Sequence, residues 1–94
     1  MAISTEGFKA ITKADEMTLL APERRGELIE YLSGLAEMVL EKKRIPNQTK
    51  LMLMRRFVAD IPEVGRVYQL RHRRYKLSTF FAWHIRQRIR EANK

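Results

Sequence analysis

A chain of 94 residues with 45% hydrophobic content is long enough for one small domain with its own core. It has no cysteine, which excludes disulfides and thiolate metal sites. Its net charge of +8 is unevenly placed: residues 1–40 carry four basic and seven acidic side chains, a net of −3, and residues 41–94 carry fifteen basic and four acidic, a net of +11.

That asymmetry points the second half of the chain toward a polyanionic or acidic partner. The opening stretch, MAISTEGFKAITKADEM, lacks both a basic n-region and an unbroken apolar run, so it does not read as a signal peptide. Uninterrupted apolar runs reach only four residues, so no membrane span is expected. A small secreted domain more often carries disulfide staples, which makes the cytoplasm the expected location.

Prolines at 22, 46 and 62 punctuate the chain into pieces of helical length. Thr12 with Asp15 resembles a capping box with a shortened acid and predicts a short helix over 13–20. Phe8 and Ile11 suggest an earlier turn. Gly7 weakens any helix there, and residues 1–12 are expected to be loosely ordered.

The stretch from Pro22 to Lys43 carries the clearest helical pattern. Leu28, Leu32, Leu35 and Val39 recur at four, three and four residues, and Ile29, Ala36 and Leu40 widen the stripe. Glu27, Glu30, Glu37 and Glu41 fall opposite, either as a solvated face or as a match for a basic surface on a second copy. Lys42, Lys43 and Arg44 suit the carboxyl end of a helix dipole. About 22 residues span roughly 33 Å, so this helix is expected at the centre of the fold. Its apolar face covers more than half the circumference, which suggests a homodimer.

The next segment, PNQTKLMLMRRFVADI, places Leu51, Met54, Phe57, Val58 and Ile61 on one side, and Arg55, Arg56 and Asp60 on the other. Asn47 or Thr49 is the expected cap. After Pro62, Val64, Val67, Tyr68 and Tyr75 share a helical face, with Arg71 among them. Gly65 argues against a strong helix, and a hairpin over 66–78 with RHRR at its tip is the alternative. Residues ADIPEV are short enough for a helix–turn–helix connection, although the usual glycine is absent. Ser78 then reads as the cap of a last helix with Phe81, Ala82, Ile85, Ile89 and Ala92 inward.

These segments predict an all-α fold, a single domain over 1–94 with four to five helices packed around the helix of about 22–43. Trp83 falls off the apolar stripe of its own helix, near Arg86, Gln87 and Arg90, and Phe80 is off it too. An aromatic ringed by guanidinium groups suits a stacked base or a phosphate-bearing ligand; the other reading buries Trp83 against a second neighbour. RHRRYK, residues 71–76, with Arg66 upstream, is a second basic cluster whose charges repel one another without a counter-anion. Arginine suits bidentate phosphate contacts better than lysine.

Nothing in the chain points to catalysis. His72 and His84 have no ligating partner at i+3 or i+4, and there is no HExxH motif, no glycine-rich phosphate loop and no nucleophile elbow. No enzyme activity, metal or cofactor is expected. A basic amphipathic last helix also fits a membrane surface or a calmodulin-type groove, but such helices are often free segments.

The expected function is a small non-enzymatic nucleic-acid-binding protein, for DNA or RNA. Its candidate contacts are Arg66, Arg71, Arg73, Arg74, Lys76, Trp83, Arg86, Arg88 and Arg90. The alternative is a regulator or adaptor acting through protein–protein interaction. It would present the same surface to an acidic partner, or occupy a nucleic-acid site on a larger machine as an inhibitor.

Overall fold

A computed structural model describes residues 11–92. The expectations for Phe8, Gly7 and most of residues 1–12 lie outside these described residues. Among them, 83% are helical and none is in a strand. The chain folds as four helices: α1 (Lys13–Thr18), α2 (Arg25–Lys42), α3 (Asn47–Arg71) and α4 (Leu77–Ala92), with a 3₁₀ turn at Pro22–Arg24 leading into α2.

The core is a three-helix arrangement in which α2, α3 and α4 each pack on the other two, and α1 lies against α4. Leu28, Leu32, Leu35, Ala36, Val39 and Leu40 from α2 meet Phe57, Ile61, Val64 and Tyr68 from α3 and Leu77, Phe81, Ile85 and Ile89 from α4. Phe57 meets Phe81 edge-on, with ring centroids 6.5 Å apart. The helix expected over 22–43 is present, with Pro22 opening the 3₁₀ turn as its fixed φ favours. The whole of its wide apolar face is buried or half-buried within the chain, with Ile29, Tyr31 and Met38 packed against the core. The surplus area that suggested a second copy is therefore covered internally.

The long central helix is α3, and it corrects the reading of Pro62 as a boundary. Residues 47–71 form one helix with Pro62 inside it. A proline there forfeits one backbone hydrogen bond and costs about 3 kcal/mol in an isolated helix. Burial outweighs it: Leu53, Phe57, Ile61, Val64 and Tyr68 make one unbroken inward stripe across the proline. Pro62 and Val58 are both exposed, so water reaches the carbonyl that is left without its partner. ADIPEV is thus not the turn of a helix–turn–helix, and residues 66–78 are not a hairpin.

Three smaller expectations change with it. Leu51 and Val58 face out, and Leu53 takes their place in the core, off the expected stripe. Tyr75 leaves the helical face assigned to it, because α3 ends at Arg71 and residues 72–76 form a turn. Neither Asn47 nor Thr49 caps α3; the preceding residue is Pro46, and no side chain bonds there.

At the other end of α2, Arg44 adopts φ 56°, Arg44 N–H donates to Glu41 O and Ile45 N–H donates to Leu40 O. This is a Schellman closure with arginine where glycine is easiest. Lys50 on α3 bridges to Glu37 at 3.5 Å and Glu41 at 3.7 Å, and Arg24 pairs with Glu27 at 2.6 Å, so three of the four acids in the stripe on α2 pair within the chain.

Candidate nucleic-acid interface

Thr12 caps α1 as expected, accepting from Asp15 N–H at 3.1 Å. That places Glu16 on the inner face, three and four residues before Leu19 and Leu20, where it is fully buried. Its carboxylate accepts from Leu77 N–H at 2.7 Å and Ser78 N–H at 3.1 Å, and from the Tyr31 hydroxyl at 2.6 Å. Glu16 therefore caps α4 from a different helix, 61 residues away. Ser78, expected to be the cap, is instead the second residue of α4 and is buried. A carboxylate at the positive end of a helix is favourable in charge as well as hydrogen bonding. Burial, followed by the bond to Glu16, pushes the Tyr31 hydroxyl up to about 12.

A second buried hydroxyl holds the turn that precedes α4. Tyr68 is fully buried, its carbonyl accepts from His72 N–H at 2.9 Å, and its hydroxyl donates to the Tyr75 carbonyl. Tyr75 N–H in turn donates to His72 O at 3.1 Å. Burial raises the Tyr68 pKa, the charge of Glu16 raises it further, and Arg73 opposes them. The turn that carries Arg73, Arg74 and Lys76 is thus fixed from beneath by Glu16, Tyr31 and Tyr68. No buried side-chain nitrogen or oxygen among the described residues lacks a partner.

On top of this support lies a row of rings. His72 stacks on Phe80 with centroids 4.7 Å apart and planes 21° apart. Phe80 and Trp83 are also near-parallel, 6.5 Å and 22° apart. These three residues, with Tyr75 and Thr79, line a cleft of about 320 Å³. Trp83 is 57% exposed and Tyr75 51%, so the core reading of Trp83 is excluded.

The candidate arginines divide into two groups. Arg66 pairs with Glu63 at 2.6 Å, and the guanidinium holds that carboxyl below its usual range. Arg88 turns toward α3, 3.4 Å from Asp60, and also reaches Glu91 at 3.8 Å. Asp60, expected on the outer side of its helix, is the shared partner: His84 Nε2–H donates to it at 3.1 Å. In contrast Arg71, Arg73, Arg74, Lys76, Arg86 and Arg90 make no ion pair among the described residues. Trp83, Arg86 and Arg90 share the outer face of α4 by helical spacing, and Arg71, Arg73, Arg74 and Lys76 surround the turn at its start.

Among the described residues there is no group of three histidine or acidic side chains able to hold a metal, and no helix long and apolar enough to cross a membrane. The arrangement offers stacking surfaces and charge. Sequence reasoning missed Glu16. Its signal was an acid on the apolar side of α1, with Lys76, whose side chain cannot accept a hydrogen bond, just before α4. No protein family, curated protein or solved structure matches the chain.

Proposed function

We propose that this chain is a non-enzymatic nucleic-acid-binding protein whose contact surface is the outer face of α4 with the turn before it. The observation that carries the reading is Trp83, more than half exposed at the end of a ring row and surrounded by cations with no ion-pair partner among the described residues. Leaving a tryptophan and several guanidinium groups in water contributes little to folding. Against a phosphate backbone the same groups supply stacking and counterion release. Arg71, Arg73, Arg74, Lys76, Arg86 and Arg90 are the phosphate contacts, and these set affinity and register rather than sequence choice. Arg66 and Arg88 are subsidiary, since each already has a carboxylate.

The experiment is a binding titration with labelled DNA and RNA across salt concentrations. Log affinity should fall linearly with log salt, by about 0.7 to 0.9 per phosphate contact. No binding even at low salt contradicts the proposal.

A protein partner at this face is the second reading, because exposed tryptophan, tyrosine and arginine are also the residues that dominate protein interfaces. Capture from lysate with and without nuclease separates the two. Partners released by nuclease treatment support nucleic acid, and a retained acidic protein supports the second reading.

A further inference from the structure

Resting on that reading, we infer that the nucleic acid taken by this surface is single-stranded, with one base stacked on Trp83 as the next member of the row His72–Phe80–Trp83. Consecutive rings in the row are tilted by only 21° and 22°, so each presents its flat face to the next. A flat, exposed ring is matched by the face of a base. In a duplex both faces of an interior base are covered by its neighbours, and only an unpaired strand offers them freely.

The cleft supports the same choice. At about 320 Å³ it lies at the small end of the range for ligand sites, which suits one ring system and not a helix or a groove-filling element. It is lined by His72, Tyr75, Phe80 and Trp83, with Thr79 beside them. Every base has a flat face to offer these rings, so recognition here tolerates sequence, and it does not depend on a 2′-hydroxyl. DNA and RNA strands both fall within the inference.

The charges bracket the cleft. The turn residues Arg73, Arg74 and Lys76 lie at one side, and Arg86 and Arg90 follow Trp83 by about 4.5 and 10.5 Å along the helix axis. A strand with one base in the cleft has cations for the phosphates on both sides of it. The turn is fixed by the Glu16 and Tyr68 hydrogen bonds, so the site requires little ordering on binding.

Trp83 is the only tryptophan in the chain, so intrinsic tryptophan fluorescence reports on this site alone. The test titrates the full chain with a short oligothymidylate, and separately with a duplex of the same length at the same salt. The single strand should quench Trp83 emission and bind at least about tenfold more tightly than the duplex. Trp83→Ala should weaken single-strand binding about 5- to 150-fold, the range for removing one stacked base, and Trp83→Phe should restore part of it. Equal or tighter duplex binding, or single-strand affinity unchanged in Trp83→Ala, overturns the inference while nucleic-acid binding stands. If neither form binds at low salt, the inference and the function it rests on fall together.

Discussion

The two faces of α4 each carry an aromatic ring and meet opposite environments. Phe81, Ile85 and Ile89 point inward, and none is more than 6% exposed. Trp83, Arg86 and Arg90, a few positions away, point out, and Trp83 is the most apolar surface in that row of cations. Packing explains every inner residue, because α2 and α3 close over it. It explains none of the outer ones. The comparison extends to the arginines: Arg88, on the flank toward α3, is tied to Asp60, whereas Arg86 and Arg90 have no such carboxylate among the described residues. A side chain that the fold does not use is where a binding role is most visible.

The largest expected effect separates the faces directly. Phe81→Ala should destabilise the domain by about 3–5 kcal/mol, since a fully buried ring is removed from the junction of three helices. Trp83→Ala, an aromatic deletion two residues away, should cost about 1 kcal/mol at most, chiefly its packing on Phe80. Denaturant unfolding of both variants checks this. Equal destabilisation would erase the distinction between the faces.

Next in size is the support beneath the turn. Glu16→Ala strands the Leu77 and Ser78 N–H groups, at a cost of about 1–3 kcal/mol. Because the start of α4 carries the ring row, the same variant should also weaken nucleic-acid binding. Glu16→Gln retains an acceptor and should be milder in both respects. A variant that is less stable but binds normally would show that the cap serves the inner face alone.

A smaller effect concerns pH. Tyr31 has its pKa raised from about 10 in the unfolded chain to about 12 in the folded one, with burial as the larger cause. The folded state therefore keeps a proton that the unfolded state gives up. Stability from this group is complete below about pH 10 and is lost as pH rises through about 12. Tyr68 shifts in the same direction. Denaturation midpoints at about pH 9 and about pH 11 should differ, and less so in Tyr31→Phe.

The residues that proved legible in the sequence were those whose partners are local. The stripe from Leu28 to Leu40 and the stripe of Phe81, Ile85 and Ile89 are fixed by helical spacing alone, and the cap of Thr12 on Asp15 N–H is made within three residues. Off-stripe placement of Trp83 was legible for the same reason, although whether a second neighbour covered it depended on the fold. Pro62 misled because its local cost is real and is outweighed only by distant packing around Phe57, Ile61 and Tyr68. Glu16 was invisible for a related reason: its partners lie 61 and 62 residues along the chain. The candidate site was legible as a set of cations. The Glu63–Arg66 and Arg88–Glu91 pairs lie at i,i+3 and were open to a reading of spacing, whereas the contact of Arg88 with Asp60 on another helix was not.

Phosphate binding by the outer face of α4 is the central claim, and the double variant Arg86→Gln with Arg90→Gln tests it most directly. Glutamine keeps much of the side-chain length and removes the charge, and both sites are exposed, so stability should change by no more than about 0.5 kcal/mol each. Affinity for a single strand should fall alike across sequences. The slope of log affinity against log salt should flatten by about 0.7 for each phosphate no longer neutralised, or about 0.9 if the ligand is a duplex. An unchanged affinity and an unchanged salt slope in the double variant would contradict the claim, because this face would then hold no phosphate.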